Sequence, residues 1–169
     1  ANGNFNAKGK DDFKIVFTSL HGTSITAIPE VLKRAGYNNV TVIEDFVALQ
    51  EGAYVTNAVT EISLAANAQA KHYRIQRENN KAFHLANCAV SLAHASRYES
   101  INIALGAQIS RFNLDVKLTH EAAECSIDGL TLIADKQLSD THTSIDHLKP
   151  NGTSQQQHKC IIDGTAHAV

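Results

Sequence analysis

Residues 101–118, INIALGAQISRFNLDVKL, carry the pattern that decides the fold. Apolar side chains stand at odd positions from 101 to 109 and then at even positions from 112 to 118. Such alternation is typical of β-strands, because successive side chains of a strand point to opposite faces. The change of parity at Ser110 and Arg111 predicts a corner or a bulge between two strands. A second change of parity predicts another corner at Asp128 and Gly129, a pair with turn chemistry.

Similar short runs continue along most of the chain after Asp45, and none of them has the spacing of a long amphipathic helix. Leu64, Leu92 and Leu118 close comparable runs that are 28 and 26 residues apart. A period of this size is compatible with the coils of a β-helix. On patterning alone, an antiparallel sandwich with irregular loops fits equally well. The pattern therefore predicts a mainly β fold and leaves these two architectures open.

Residues 1–43 differ from the body of the chain at 44–169. After a polar stretch, β-branched and aromatic residues predict strands at 14–18 and 40–43. Between them, apolar side chains at helical spacing and a proline in the first turn predict a helix at 26–35. We therefore predict two parts, a polar lead-in with a short β-α-β unit and a mainly β body.

The composition excludes two classes of partner. Fifteen Lys and Arg against seventeen Asp and Glu give a net charge of -2, which lacks the basic excess of a nucleic-acid-binding protein. No apolar run approaches the roughly 20 residues that a membrane helix needs, and the first residues do not resemble a signal peptide. We therefore expect no nucleic acid, no membrane segment and a cytoplasmic protein.

The three cysteines do not predict a disulfide framework. The number of cysteines is odd, and the three are Cys88, Cys125 and Cys160. They lie far apart in the sequence, and no two of them form a C-x-x-C motif. Cys88 and Cys125 stand in apolar alternation, which predicts that both are small buried side chains.

A series of short motifs runs in order along the body of the chain. They are VIEDF at 42–46, EGAY at 51–54, TNAVTE at 56–61, HYRIQRE at 72–78, AEC at 123–125, DGL at 128–130, HTSIDH at 142–147, TS at 153–154 and DG at 163–164. Together they resemble the SufB/SufD scaffold family of iron–sulfur cluster assembly, and they match SufD better than SufB. The resemblance implies a right-handed parallel β-helix and a non-catalytic subunit of the SUF system. It also implies two partners, a SufB-like sister scaffold and a SufC-like ATPase.

Other parts of that family's pattern have no counterpart here. Its cluster-related cysteine, histidine and glutamate positions lie past residue 169, as does the helical segment that holds the ATPase. The resemblance therefore implies no cofactor bound by this chain, with an iron–sulfur cluster present transiently in the parent complex. It implies a location in the cytoplasm or the plastid stroma. An open end of a β-helix also predicts self-association.

A second resemblance covers part of residues 1–43. KIVFTSLHGTS at 14–24 and VLKRAGY at 31–37 resemble the start of the second domain of phosphoglucomutases and phosphomannomutases. That family's phosphoserine loop and metal loop are absent, so no phosphate transfer is implied. Because the chain also contains no methionine and ends in a strand-like pattern, we expect a fragment or a chimera of two parents.

Three groups of residues have the chemistry of a binding site. Backbone amides at His21, Gly22 and Thr23 precede the predicted helix and could receive a phosphate, although a plain strand-to-helix connection is favoured. His158 and Cys160 share one face of a strand and suit zinc or an iron–sulfur intermediate. A further group combines carboxylate and imidazole ligands: Asp140, His142, Asp146 and His147.

The spacing of this last group limits what it can bind. On a strand, residues 140, 142 and 146 share one face, but separations of about 7 and 13 Å require a bend before they meet at one ion. Hydrogen-bonded surface side chains remain the alternative for this group, and a filler role remains the alternative for Cys160. We predict an iron–sulfur assembly scaffold fragment that is not an enzyme. Two other functions stay open, an inactive phosphohexomutase fragment and a metal-binding β-solenoid module.

Overall fold

The computed structural model describes residues 39–49 and 51–169, which form ten strands. The strands are β1 (Asn39–Val47), β2 (Val55–Leu64), β3 (Gln69–Arg77), β4 (Phe83–Leu92), β5 (Arg97–Ala104), β6 (Ile109–Leu118), β7 (Glu124–Ile133), β8 (Leu138–His147), β9 (Thr153–Ile162) and β10 (His167–Ala168). The strand predicted at 40–43 is confirmed as part of β1. The strand predicted at 14–18 and the helix at 26–35 lie outside the described residues. Across the described part of the chain, no helix has the length and apolarity needed to cross a membrane.

Odd-numbered and even-numbered strands form two separate parallel sheets. The odd-strand sheet has the order β1-β3-β5-β7-β9, and the even-strand sheet has the order β10-β8-β6-β4-β2. The chain therefore passes from one sheet to the other and returns one strand further along, which makes a β-solenoid of about five turns. Such parallel ladders confirm the β-helix, and the antiparallel sandwich that the pattern left open is wrong.

The leucine period is the length of a coil. In the even-strand sheet Leu64 pairs with Leu92, and Leu92 pairs with Leu118. Leu92 and Leu118 are completely buried in the lumen, the space between the two sheets. Identical apolar side chains thus stack from coil to coil, as expected for a solenoid in which each repeat contacts mainly its neighbours.

The first predicted corner exists but lies elsewhere. Ser110 and Arg111 are inside β6, and the chain turns instead at residues 105–108, where Ala107 has a φ of 66°. The parity changed because Ile101 and Ile103 face outward from β5, whereas the even-numbered apolar side chains of β6 face the lumen. Alternation alone does not distinguish an outer apolar row from an inner one.

The second predicted corner is wrong. Asp128 and Gly129 lie inside β7, which continues without interruption to Ile133. Gly129 serves a close contact between coils, because a Cβ there would lie 2.7 Å from Nδ1 of His158 on β9. The glycine thus makes room for an imidazole of the next coil and not for a turn.

Corners of the β-helix hold non-glycine residues in the left-handed region of φ. They are Asn67, Ala95, Ala107, Ala122, Asp135 and Asn151. Asparagine and aspartate tolerate this conformation, whereas an alanine Cβ clashes with the following carbonyl at a cost of about 1–2 kcal/mol. The three alanines therefore carry local strain that the ladders on either side impose.

Replacing Ala122 by glycine is expected to raise the free energy of unfolding by about 0.5–1 kcal/mol, because glycine adopts positive φ without a Cβ clash. Ala122 has a φ of 57°. Ala66 is the matched control, since it is an exposed turn residue outside the positive-φ group. Its replacement by glycine should leave stability unchanged or lower it. Urea denaturation of both variants measures the difference, and equal effects at the two positions would contradict the strain.

Candidate functional site

Polar side chains fill one part of the lumen. His72, Arg74 and Gln76 alternate along β3 with the same parity as the buried Ala70, so the strand points all of them inward. Each of the three is at most 1% exposed. With their partners they form the lumen cluster: Glu44, Thr56, Thr60, His72, Arg74, Gln76, Glu78, His84, Tyr98 and Asn102. The register of the parallel ladders brings these residues together from β1 to β5.

One hydrogen-bonded chain links three neighbouring strands of the odd-strand sheet. Nε2 of His72 lies 3.0 Å from Oε2 of Glu44, and Nδ1 lies 2.9 Å from the hydroxyl of Tyr98. From the opposite sheet, the hydroxyl of Thr60 donates to Oε1 of Glu44 at 2.7 Å. Burial acts to raise the pKa of Glu44. Hydrogen bonds from His72 and Thr60, together with electrostatic attraction to His72 and Arg74, outweigh burial and lower that pKa. The carboxylate therefore stays charged inside the lumen and ties the two sheets together.

Arg74 occupies the centre of the cluster. Its Nη1 donates to Oδ1 of Asn102 at 2.8 Å, and its Nη2 contacts Nε2 of His84. The guanidinium carbon lies 5.2 Å from the ring centroid of Phe46 and 4.3 Å from that of Phe112, distances typical of cation–π contacts. Burial lowers the pKa of Arg74 to about 10, so the side chain remains a cation at neutral pH.

Glu78 completes the cluster beside the turn after β3. Its carboxylate accepts hydrogen bonds from Thr56 at 2.5 Å, from Gln76 at 3.2 Å and from Nδ1 of His84 at 2.5 Å. Burial acts to raise the pKa of Glu78, but these hydrogen bonds together outweigh it and lower the pKa to about 2. The cluster thus holds two carboxylates and one guanidinium in fixed positions away from water.

The cysteines stand where the sequence predicted. Cys88 and Cys125 are buried, as expected for small side chains in apolar alternation, and Cys160 is exposed. Burial raises the pKa of the Cys88 thiol to about 12 and that of Cys125 to about 11. Both thiols therefore stay protonated at neutral pH, which makes them poor nucleophiles and poor metal ligands.

The predicted carboxylate and imidazole group is divided between two faces of β8. Asp140, His142 and Asp146 pair in register with residues of the outer face of β6, whereas His147 pairs with the buried Leu118. A carboxylate oxygen of Asp140 is bound to Arg111 at 3.0 Å. Among the described residues, no group of three or more His, Cys, Asp or Glu side chains is arranged to hold a metal ion. Metal binding at this group stays a prediction.

His158 and Cys160 share one face of β9, as their spacing predicted. They pair in register with Gly129 and Thr131 of β7, so they belong to the lumen side of that strand. All ten residues of β9 are exposed. His21, Gly22 and Thr23 lie outside the described residues, so phosphate binding there also stays a prediction.

Sequence reasoning did not identify the lumen cluster as a site. The motif HYRIQRE at 72–78 predicted the family and not this site. The available signal was parity, because His72, Arg74 and Gln76 continue the inward series that starts at Ala70. Polar residues at inward positions of a strand indicate a buried network, since an isolated polar side chain there would be costly.

Replacing Arg74 by methionine is expected to lower the free energy of unfolding by about 3–5 kcal/mol, because it leaves buried carboxylates without their cation. Arg77 on the same strand is the matched control. Its side chain is 55% exposed and pairs with Asp45 at 2.8 Å, so Arg77→Met should cost less than about 1 kcal/mol. Urea unfolding of both variants provides the comparison. Similar losses in the two variants would show that the buried guanidinium has no special role in stability.

Comparison with known proteins identifies relatives that match most of this chain. The family model described as "SUF system FeS cluster assembly, SufBD core domain" matches residues 23–169. An iron–sulfur cluster assembly SufBD family protein of Synechocystis sp. is 37% identical over 174 aligned residues, which cover 97% of this chain and 38% of that protein. The iron–sulfur cluster assembly protein SufD of Escherichia coli is 33% identical over 129 residues, covering 76% of this chain and 30% of that protein. The chain thus spans about a third of the length of these relatives.

The second resemblance is also found, over a short segment. A phosphoglucomutase of Staphylococcus haemolyticus is 49% identical over 35 residues, which cover 21% of this chain and 6% of the enzyme. No solved structure matches the chain. The SufBD match covers most of the sequence, including all ten strands of the β-helix. This chain belongs to the SufBD core family of iron–sulfur cluster assembly proteins.

Proposed function

We propose that this chain is the β-helical body of a SufD-like subunit that supports iron–sulfur cluster assembly by binding other proteins and catalyses no reaction itself. The observation that carries the proposal is the SufBD core match over residues 23–169. Identity of 33% to the SufD protein of Escherichia coli favours the SufD branch. The iron–sulfur cluster is cargo of the assembled complex in this proposal and not a cofactor of the chain.

The outer face of the odd-strand sheet suits a protein that binds other proteins. Ile75, Ile103 and Leu130 stand side by side in register across β3, β5 and β7 and face outward, where each is half-buried. An ion pair between Lys71 and Glu99 at 2.9 Å lies on the same outer face, with Tyr73 and Ile101 between it and this row. Solenoid proteins use the extended faces of their stacked repeats as binding surfaces, and protein interfaces place apolar side chains inside a polar rim. This arrangement supports assembly with a SufB-like subunit.

The proposal predicts direct binding to a SufB protein. The chain, carrying an affinity tag, would be co-expressed with the SufB and SufC proteins of Synechocystis sp., the source of the relative that is 37% identical. SufB is expected to co-purify with the chain in comparable amounts, and SufC is expected only when SufB is present. The full-length Synechocystis relative is the positive control. Failure of the folded chain to retain SufB, while the control retains it, would contradict the proposal.

The phosphohexomutase alternative is tested separately. Its support is the match of 35 residues to a staphylococcal phosphoglucomutase. A calorimetric titration of the chain with glucose 1-phosphate is expected to show no saturable binding. Saturable binding would favour a phosphosugar site in the first 43 residues and would leave the SufB experiment to decide the function of the body.

A further inference from the structure

His84 lies between an anion and a cation inside the lumen. Its side chain is fully buried. Nδ1 is 2.5 Å from Oε2 of Glu78, and Nε2 contacts Nη2 of Arg74. The ring of Phe46 closes a third side, with its centroid 4.7 Å from that of the imidazole and an interplanar angle of 69°. The imidazole therefore has a defined partner on each nitrogen.

These two contacts require a neutral imidazole. A guanidinium only donates hydrogen bonds, so Nε2 of His84 must accept from Arg74 with its lone pair. Nδ1 then carries the single ring proton and donates it to the carboxylate of Glu78. A second proton has no place on Nε2 unless the contact with Arg74 breaks.

We propose that His84 is an acid-sensitive lock on the first coils of the β-helix, in which proton uptake at Nε2 displaces Arg74 and loosens β1, β3 and β4 from one another. A protonated ring and a guanidinium would then face each other in a buried space, where repulsion between charges is poorly screened. Arg74 has little room to retreat. Asn102 binds its Nη1, and Phe46 and Phe112 lie against the guanidinium. The repulsion is therefore relieved by separation of β1, β3 and β4, which carry Phe46, Arg74 and His84.

The groups around His84 determine how readily its imidazole takes up a proton. The charged groups that act on it are Glu44 of β1, Arg74 of β3 and Glu78 of the turn before β4. Its register neighbours in the even-strand sheet, Thr56 and Ser110, are neutral. Glu78 favours the protonated ring and Arg74 opposes it. Burial is the largest influence and lowers the pKa of His84 below its usual 6.5.

The lowered pKa fixes the direction of the pH dependence. The unfolded chain takes up this proton near pH ~6.5, whereas the folded protein resists it. The stability that the neutral ring provides is therefore complete above about pH 6.5 and is lost as the pH falls through the folded pKa. The carboxylates of Glu44 and Glu78 affect stability only at more acidic pH. The pKa of Glu78 is lowered from 4.5 to about 2 and that of Glu44 is also lowered, so their contribution is lost only below 4.5.

Hydrogen exchange of the full chain between about pH 7 and pH 5 tests the lock. Below about pH 6.5, protection factors of amides in β3 and β4 should fall by up to about tenfold per pH unit, as expected for uptake of one proton on opening. Amides of β7 should lose less protection, because the opening is local to the first coils. His84→Gln keeps a neutral donor and acceptor, and its protection factors should change by less than about threefold. His120 is exposed, so His120→Gln is the matched control and should behave as the parent.

Three results would overturn the proposal. They are protection that does not depend on pH in the parent, equal loss of protection in His84→Gln, and loss of the pH dependence in His72→Gln but not in His84→Gln. If His84→Gln does not fold, an NMR titration of the imidazole in the parent decides. Protonation of His84 below pH ~6.5 together with loss of protection supports the lock, and protonation without any loss of protection overturns it.

Discussion

The parallel register between successive coils is the constraint on which the rest of this structure depends. It stacks Leu64, Leu92 and Leu118 in the lumen and places the outward rows at equal heights on neighbouring strands. A shift by one residue would exchange the inner and outer faces of a strand, so the register cannot slip without exposing the core. The lumen cluster reinforces this restriction, because the hydrogen bonds of His72 with Glu44 and Tyr98 form only when β1, β3 and β5 are correctly aligned.

Such a cluster costs free energy to bury and is stable only when it is complete. Each carboxylate and the guanidinium must exchange hydration for fixed partners, and replacement of one member leaves the others uncompensated. The backbone adapts to the cluster as well. The amide of Gly106 donates to Oε1 of Gln76 at 3.1 Å, and a Cβ at Gly106 would lie 2.1 Å from the carbonyl oxygen of Glu78. The glycine is therefore required by the close approach of two backbones, whereas at Gly129 the nearest atoms belong to the exposed side chain of His158.

Sequence patterns predicted the elements of this fold better than their arrangement. Alternation identified β structure, and the leucine period gave the coil length, because both follow from the geometry of one strand and its nearest neighbours. One predicted corner was misplaced and the other was wrong, because Ile101 and Leu130 are apolar and yet face outward. Apolar character therefore did not indicate the direction of the side chain. The lumen cluster was missed for the opposite reason, since its members are polar and yet buried. Only the pairing of distant coils, which no local pattern contains, shows that Glu44, His72 and Tyr98 meet.

The lumen has a polar half and an apolar half, and each half lies beside a different corner of the coil. Gln76 ends the inward series of β3 and His84 begins that of β4, so polar side chains gather beside the corner between these strands. Further along β4 the inward series becomes apolar and ends at Leu92, beside the corner that leads to β5. Apolar contacts are indifferent to pH, whereas contacts among charged groups depend on protonation. The two corners of one coil therefore respond differently to acid, and the leucine stack keeps the coils aligned while the polar corner opens and closes again.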